Sequence, residues 1–250
     1  MAVTTQAKPN KTLPWPVEFY RSAVGKKWVM AITGIVILAF VLAHMIGNLK
    51  IYFLQPVTEN GATGWEIDFY GEALRTMLFP ILPKFVVLWI IRVGLIVSFV
   101  LHIHAAYTLT LMNRRARPTG YQGPREYLVA NYASRTMRWS GVIVLLYLAW
   151  HLADFTWGIQ PFAPAGFVHG AVHDNFVASF SRVPVSIIYI VANLALGLHI
   201  FHGAWSMFQS LGINNPRFNP WRRRFAQIFA AVIVLANVSF PVAVLTGIVK

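Results

Sequence analysis

The chain has 250 residues, of which 57% are hydrophobic and only 12% are charged. This composition excludes an ordinary soluble domain and is typical of a protein that crosses the membrane several times. Lys and Arg number 21 against 8 acidic residues, a net charge of +13. These bases flank apolar stretches, so membrane topology explains them and no nucleic-acid partner is predicted. Because cysteine is absent, disulfides, thiolate-bound iron–sulfur clusters and covalently attached haem are excluded within this chain.

In chain order, a polar segment, 1–26, comes first, and we expect it to lie in the cytoplasm and along the membrane interface. Five apolar stretches follow, each long enough to span a bilayer as an α-helix. They are predicted at about 27–54, 84–113, 136–158, 184–211 and 225–248. The sequence therefore predicts an all-α integral membrane protein whose single membrane domain, 1–250, is a bundle of five transmembrane helices.

The distribution of basic residues predicts the orientation of this bundle. The N-terminal segment and the connections after the second and fourth helices hold fifteen of the 21 Lys and Arg residues. The other two connections hold three, Arg75, Lys84 and Arg182, together with most of the acidic residues. Basic segments stay on the cytoplasmic side of a membrane. The N-terminus is therefore predicted to be cytoplasmic, on the inner side, and the C-terminus to lie on the outer side.

Four of the helices carry histidine deep in the apolar stretch, where an ionisable side chain is costly and by default faces a partner inside the bundle. At a rise of about 1.5 Å per residue, His44 in the first helix and His151 in the third lie near the outer side. The histidines of the second and fourth helices lie toward the inner side: His102, His104, His199 and His202. Four helices thus present histidine at two levels.

Two haems stacked across the membrane would need this arrangement, because each iron takes one imidazole from each of two helices. Depth and helical phase predict two ligand pairs, His44 with His151 at the outer haem and His102 with His199 at the inner haem. His104 is the alternative to His102, and His202 is a candidate ligand or a contact to a haem propionate. The competing interpretation is a set of buried histidines bonded to carbonyls or hydroxyls.

Small residues beside the ligands are expected to leave room for a porphyrin. Thr33 and Gly47 flank His44 in the first helix, and Ser140 and Gly158 flank His151 in the third. Two further histidines, His169 and His173, lie four residues apart in an outer connection, where such pairs are usually solvated rather than metal ligands.

Several charged residues are candidates for roles around these sites. The acidic candidates for quinone binding or proton transfer are Asp154, Glu66 and Asp68. Asp154, one turn beyond His151, would orient an imidazole, relay a proton or line a quinone pocket; the alternative is a solvated helix end. The basic candidates for contacts with haem propionates or a partner are Lys27, Arg92, Arg135 and Arg138. Snorkelling toward the headgroups is the alternative for Arg92, and membrane topology alone accounts for the others.

Short motifs are spread over nearly the whole chain. They are SAVGKK at 22–27, TG at 33–34, HMIGNL at 44–49, LHI at 101–103, NRRARP at 113–118, WH at 150–151 and LHIFHGAWSMFQSLG at 198–212. Together they resemble the cytochrome b membrane anchor of succinate dehydrogenase, in its single-chain, five-helix, two-haem form. The resemblance implies haem ligands at His44, His151 and His199, and it leaves the second helix open between His102 and His104.

The resemblance also implies partners and cofactors. A flavoprotein subunit on the cytoplasmic side would oxidise succinate, and an iron–sulfur subunit would pass the electrons through two b haems of this chain to a membrane quinone. The two-haem form resembles the anchors that use menaquinone in a bacterial-type cytoplasmic membrane. The dicarboxylate chemistry would then lie on a partner, and this chain would transfer electrons, bind quinone and contact lipid. The presence of a further small membrane subunit, and the oligomeric state, are left open.

Three other functions compete with this prediction. The nearest is a di-haem cytochrome b subunit of another respiratory dehydrogenase, such as a formate dehydrogenase or a hydrogenase. The motif at 198–212 argues against this alternative. The second is a proton-coupled transporter that uses buried histidines, which predicts inverted repeats and carboxylates at the midplane. No repeat is apparent, and the acidic residues lie at the edges of the membrane. The third is a structural anchor without haem.

Overall fold

The computed structural model describes residues 13–59, 61–116 and 132–250, with the side chains of 132–136 left out. Within these ranges, five helices are long and apolar enough to cross a membrane. Each corresponds to one of the five predicted stretches, so the prediction of an all-α membrane bundle is confirmed. Its orientation in the bilayer stays a prediction.

The chain enters the first long helix through a short one. Helix α1 is Trp15–Arg21, with Pro16 in its first turn, where the missing proline N–H costs no hydrogen bond. Ser22 then caps α2, Ala23–Asn48, because its hydroxyl accepts a hydrogen bond from the backbone N–H of Gly25. A 3-10 turn, Leu49–Tyr52, extends α2 at its outer end.

The two predicted outer connections contain more regular structure than expected. The first forms an antiparallel hairpin of β1, Val57–Glu59, and β2, Ala62–Gly64, followed by helix α3, Glu66–Arg75. The second contains helix α6, Val172–Phe180. Helices α3 and α6 contact each other, and α6 packs against the outer ends of the long helices α7, Val183–Ser210, and α8, Asn219–Leu245.

The remaining long helices are α4, Val86–Arg115, and α5, Tyr132–His151. Helix α5 continues into one π-helical stretch, Leu152–Trp157, which ends at Gly158 in the left-handed conformation, with φ of 65°. A π turn carries more residues than an α turn and is frequent at functional sites. Here it immediately follows His151.

Among the helix starts, that of α8 differs most from the prediction, which began this helix at about 225. It begins at Asn219, because Pro220 occupies the first turn, where proline is favoured. The basic residues at 222–224 therefore lie on the helix rather than before it. Arg222 among them is buried, and its guanidinium donates to the carbonyl of Ile213 and the side chain of Asn219.

Packing is dense on one side of the bundle and sparse on the other. Helix α7 packs along α8, α5 and α2, and α2 packs along α4. The buried members of the hydrophobic clusters come from α2, α7, α8 and the outer segments, and none comes from the described part of α4 or α5. In the most apolar stretch, 6% of the residues are buried in α4 against 39% in α7. The described parts of α4 and α5 thus contribute little to the buried hydrophobic core.

Candidate functional site

The predicted outer ligands, His44 and His151, lie close together. Their ring centroids are 5.8 Å apart and the ring planes cross at 83°. An iron between two imidazoles sets the bound nitrogens about 4 Å apart, at about 2 Å per metal–nitrogen bond, and the ring centroids about 6 Å apart. The observed separation fits that requirement. His44 retains accessible surface although its ring faces His151.

Aromatic rings enclose the outer pair. Phe40, one turn before His44, stacks on it at 5.4 Å between centroids. Tyr147, Phe155 and Tyr189 lie 5.6–6.0 Å from the His151 ring. Such a shell would exclude water from a flat apolar group bound between the two helices.

The polar contacts of the two outer rings differ. The Nδ1 atom of His151 lies 3.5 Å from the hydroxyl of Tyr189. The Nε2 atom of His44 lies 3.4 Å from the side-chain amide nitrogen of Asn48, one turn further along α2. Metal binding at Nε2 of His44 would replace that long contact.

On α4, His102 lies against the Thr33-Gly34 step of α2. Its Nδ1 atom is 3.3 Å from the Thr33 hydroxyl. A methyl group added at Gly34 would lie 3.7 Å from the imidazole Cε1, so the ring covers this glycine. Gly34 is therefore where α2 leaves room for the His102 side chain, and Thr33 is its polar partner.

On α7, His199 repeats this arrangement against the Ser140-Gly141 step of α5. Its Nδ1 atom is 3.3 Å from the Ser140 hydroxyl. A methyl group at Gly141 would lie 3.3 Å from the His199 Cε1, which is tighter than ordinary packing allows. The rings of His102 and His199 make no direct contact in the described structure, in contrast to the outer pair.

The two contacts define two levels. Thr33 precedes His44 by eleven residues, and Ser140 precedes His151 by eleven residues. At about 1.5 Å per residue, the inner contacts lie about 16 Å from the outer pair along the helices. A hydroxyl residue, a glycine and a histidine thus recur at the same spacing in α2 and α5. This signal was present in the sequence, where no repeat had been apparent.

The second histidine of α4 points elsewhere. His104 is exposed, stacks on Tyr20 at 5.9 Å between centroids, and places its Nδ1 atom 2.5 Å from the Tyr20 hydroxyl. The Lys26 ammonium group lies 4.4 Å from the centre of the same tyrosine ring. His104 therefore belongs to a cluster with α1, whereas His102 faces the step at Thr33.

Two polar groups follow His199 on the inner part of α7. The Nδ1 atom of His202 and the indole nitrogen of Trp205 are buried, and neither has a hydrogen-bond partner within the described part of the chain. Buried polar groups are normally paired, so both atoms are suited to a polar group bound beside His199. The role of His202 as a propionate contact stays a prediction.

Asp154 is the centre of a buried network, so the alternative of a solvated helix end is wrong. The carboxylate is fully buried. It accepts hydrogen bonds from Ser179 at 2.6 Å, Tyr189 at 2.9 Å and Arg182 at 3.2 Å. The π turn after His151 brings Asp154 to this position. Because Tyr189 also approaches His151, the network joins the outer connection to a predicted ligand.

The other two acidic candidates hold outer segments together. Glu66 pairs with Lys50 at 2.5 Å, which ties α3 to the end of the first long helix. Asp68 accepts a hydrogen bond at 2.9 Å from the backbone N–H of His173, in the first turn of α6. Both carboxylates retain accessible area.

The basic candidates lie on the surface. Lys27, Arg92 and Arg138 are exposed, and the Arg92 guanidinium lies 5.2 Å from the centre of the Trp89 ring. That contact matches snorkelling along the helix surface. The side chain of Arg135 lies outside the described residues.

Two of the small residues expected to make room for a porphyrin accommodate protein side chains instead. A methyl group at Gly47 would overlap the Tyr70 ring of α3, and one at Gly158 would overlap Phe167. These glycines allow the outer segments to pack closely. The glycines that face imidazoles are Gly34 and Gly141, beside the expected Thr33 and Ser140.

The outer histidines also differ from the expectation that both are solvated. His173 is buried and stacks on Trp65 at 3.8 Å between centroids. His169 is exposed beside Phe167. Among the residues that the structure describes, no cluster of three or more His, Cys, Asp or Glu side chains could hold a bare metal ion.

Taken together, the residues present fit haem, which needs two axial imidazoles and an apolar slot. The distance between the outer rings suits an iron between them. In the inner contacts and at His151, the hydroxyl partner occupies Nδ1. The hydroxyl contacts of these three rings thus lie at Nδ1, which leaves Nε2 as the nitrogen for a metal.

Comparison with known proteins finds one similar family. Residues 124–238, a little under half of the chain, match the family model of the succinate dehydrogenase/fumarate reductase transmembrane subunit. The match includes α7, most of α8, and one histidine from each predicted pair, His151 and His199. Comparison with curated proteins and with solved structures gives no match. Over residues 124–238 the chain is therefore similar to the succinate dehydrogenase/fumarate reductase transmembrane subunits.

Proposed function

We propose that the chain is the membrane-anchor cytochrome b subunit of a succinate:quinone oxidoreductase. The observation that carries this proposal is the arrangement of four imidazoles, on four helices and at two levels, with the outer two at the separation that an iron requires. The match of residues 124–238 to the succinate dehydrogenase/fumarate reductase transmembrane subunit supports the choice of complex. The soluble partners would be a flavoprotein and an iron–sulfur subunit on the cytoplasmic side of a bacterial-type membrane.

In this proposal, His44 and His151 hold an outer haem b, and His102 and His199 hold an inner one. Haem supplies a one-electron redox centre, and two of them would carry electrons from the iron–sulfur partner toward a quinone, in this type menaquinone. The role of the chain is to supply imidazole ligands, to exclude water from the sites and to bind the soluble subunits. Lys27, Arg135 and Arg138 are the proposed contacts at the inner interface.

Protons for quinone chemistry would be exchanged at the outer side. Glu66 and Asp68 retain accessible area and are the proposed groups for exchange with solvent. Asp154 is fully buried, and its oxygens accept from three protein donors. Its proposed contribution is therefore to orient neighbouring groups rather than to contact quinone directly.

The first experiment is a reduced-minus-oxidised spectrum of the purified complex, with pyridine haemochrome quantitation per chain. We expect two haem b per chain and reduction of both by succinate. Absence of haem would overturn the proposal in favour of a structural anchor or a transporter. Haem that is reduced by formate or hydrogen but not by succinate would identify the anchor of another dehydrogenase.

Histidine variants then test the pairing. His44→Ala and His151→Ala should each remove the same one of the two haems. His102→Ala and His199→Ala should each remove the other. His104→Ala is the matched control on α4 and should retain both haems, because its ring bonds to α1 instead. Loss of haem in the His104 variant with retention in the His102 variant would reverse the ligand assignment.

A further inference from the structure

Three buried hydroxyl groups face the Nδ1 atoms of three proposed ligands. Thr33 faces His102 at 3.3 Å, Ser140 faces His199 at 3.3 Å, and Tyr189 faces His151 at 3.5 Å. A hydroxyl has one proton to donate and two lone pairs to accept with. The direction of each contact therefore depends on where the hydroxyl proton is already used.

On α2, the proton of Thr33 is taken by the backbone. Its hydroxyl donates to the carbonyl of Val29 at 2.6 Å, much closer than the 3.3 Å to His102. Only an oxygen lone pair then remains for the imidazole. For a hydrogen bond to form, Nδ1 of His102 must carry the proton and donate it to Thr33.

The same reasoning holds on α5. The hydroxyl of Ser140 donates to the carbonyl of Met137 at 3.0 Å, and Nδ1 of His199 lies 3.3 Å away. Thr33 and Ser140 are both buried, so no bulk water competes for the contact. A hydrogen bond at either contact therefore requires the same tautomer of both inner imidazoles.

At the outer level, the hydroxyl proton is accepted by a carboxylate rather than by a backbone carbonyl. Asp154 is paired with the Arg182 guanidinium at 3.2 Å, which favours the ionised carboxylate, a group that only accepts. Tyr189 must then donate to Asp154, at 2.9 Å. Its oxygen presents a lone pair to Nδ1 of His151, and Ser179 and Arg182 also donate to the Asp154 carboxylate.

A neutral imidazole with its proton on Nδ1 has its free lone pair on Nε2. We propose that Thr33, Ser140 and Tyr189 are positioning residues that each accept a hydrogen bond from Nδ1–H of His102, His199 and His151, and so commit Nε2 to the haem iron. This inference rests on the proposed function. His44 has no such hydroxyl partner among the described side chains; its neighbour is the amide of Asn48.

A hydrogen bond from Nδ1–H makes the imidazole a stronger electron donor. A stronger donor favours ferric iron and lowers the reduction potential of the haem. Removing the acceptor should therefore raise the midpoint potential of the haem to which that imidazole is bound. A role limited to packing would leave the potential unchanged.

The test uses Thr33→Val, Ser140→Ala and Tyr189→Phe in the complete complex. Haem content is measured by pyridine haemochrome, and the two midpoints by potentiometry with optical detection. Thr33→Val and Ser140→Ala should shift one and the same midpoint upward. Tyr189→Phe should shift the other midpoint upward. The ferric low-spin EPR signal of the affected haem should change with it.

Two control variants remove hydroxyls that lie nearby without facing Nδ1. Ser98 is buried on α4 one turn before His102 and donates to the carbonyl of Gly94. Ser186 is buried on α7 one turn before Tyr189, and its hydroxyl donates to the carbonyl of Phe180. Ser98→Ala and Ser186→Ala should leave both midpoints in place.

The outcomes separate this inference from the function on which it rests. A wild-type complex without two haem b refutes the proposed function. Two haems with unchanged midpoints in all three variants, or equal shifts in the controls, refute the positioning role. If Thr33→Val loses haem, Thr33→Ser decides: recovery of haem and midpoint with the hydroxyl supports the inference, and failure to recover overturns it.

Discussion

Arg182 should be a large contributor to the stability of the outer half of the bundle. Arg182→Met keeps much of the length of the side chain and removes its charge. The guanidinium donates to the Asp154 carboxylate, to the Ser179 hydroxyl at 2.9 Å and to the carbonyl of Phe162 at 2.7 Å. The substitution therefore leaves Asp154 without its counter-ion.

The magnitude follows from burial. The Asp154 side chain is 0% exposed and that of Arg182 is 29% exposed. Removing one partner of a buried ion pair costs about 3–5 kcal/mol, because the remaining charge stays desolvated. Ser179 and Tyr189 still donate to the carboxylate, so we expect the lower end, about 3 kcal/mol. Adding Asp154→Asn removes the unpaired charge and should recover about 2 kcal/mol, a coupling typical of residues in one network.

The assay is unfolding by SDS in mixed micelles, followed by the fluorescence of the nine tryptophans. Arg92→Met is the matched control, since Arg92 is exposed and stacks on Trp89. It should cost at most about 1 kcal/mol. The reasoning is refuted if Arg182→Met costs less than the control, or if Asp154→Asn gives no recovery in the Arg182→Met background.

Two further predictions concern packing and surface charge. Gly197→Ala should destabilise the protein by about 1–3 kcal/mol, because the added methyl overlaps the side chain of Val234 where α7 meets α8. Gly203→Ala is its control, with the nearest atom 3.7 Å from the added methyl. Lys50→Met should cost no more than about 1 kcal/mol, because its ion pair with Glu66 is partly exposed.

Both sets of variants can be compared in the same SDS unfolding assay. Equal losses in the two glycine variants would contradict the close approach of α7 and α8 at Gly197. A loss above 2 kcal/mol in the lysine variant would mean that the pair is shielded from solvent far more than its exposed area indicates.

Length and hydrophobicity were enough to predict the five helices, because a bilayer imposes the same requirement on every spanning segment. Depth alone also placed His44 and His151 at one level, since helix rise is fixed. Helical phase favoured His102 over His104 as the ligand. In the structure, His102 contacts Thr33 of α2, whereas His104 contacts Tyr20 of α1. These are properties that one helix determines by itself.

The features that the sequence did not indicate depend on how helices meet. Asp154 was open between a solvated end and an inward role because its partners, Ser179 and Arg182, come from a connection whose helix α6 was not predicted. Gly47 was assigned to the wrong neighbour because the position of α3 cannot be read from the first helix. The partners of His102 and His199 required knowing which helices pack side by side.

The spacing between Thr33 and His44 carries a consequence for how this sequence can vary. Eleven residues complete about three turns at 3.6 residues per turn. The hydroxyl that serves one level and the imidazole that serves the other therefore lie along one stripe of α2, and the same is true of Ser140 and His151 on α5. One inserted residue would swing the two groups apart by about 100°. The lengths of the stretches 34–43 and 141–150 are thus fixed, and a one-residue insertion in either would damage both levels at once.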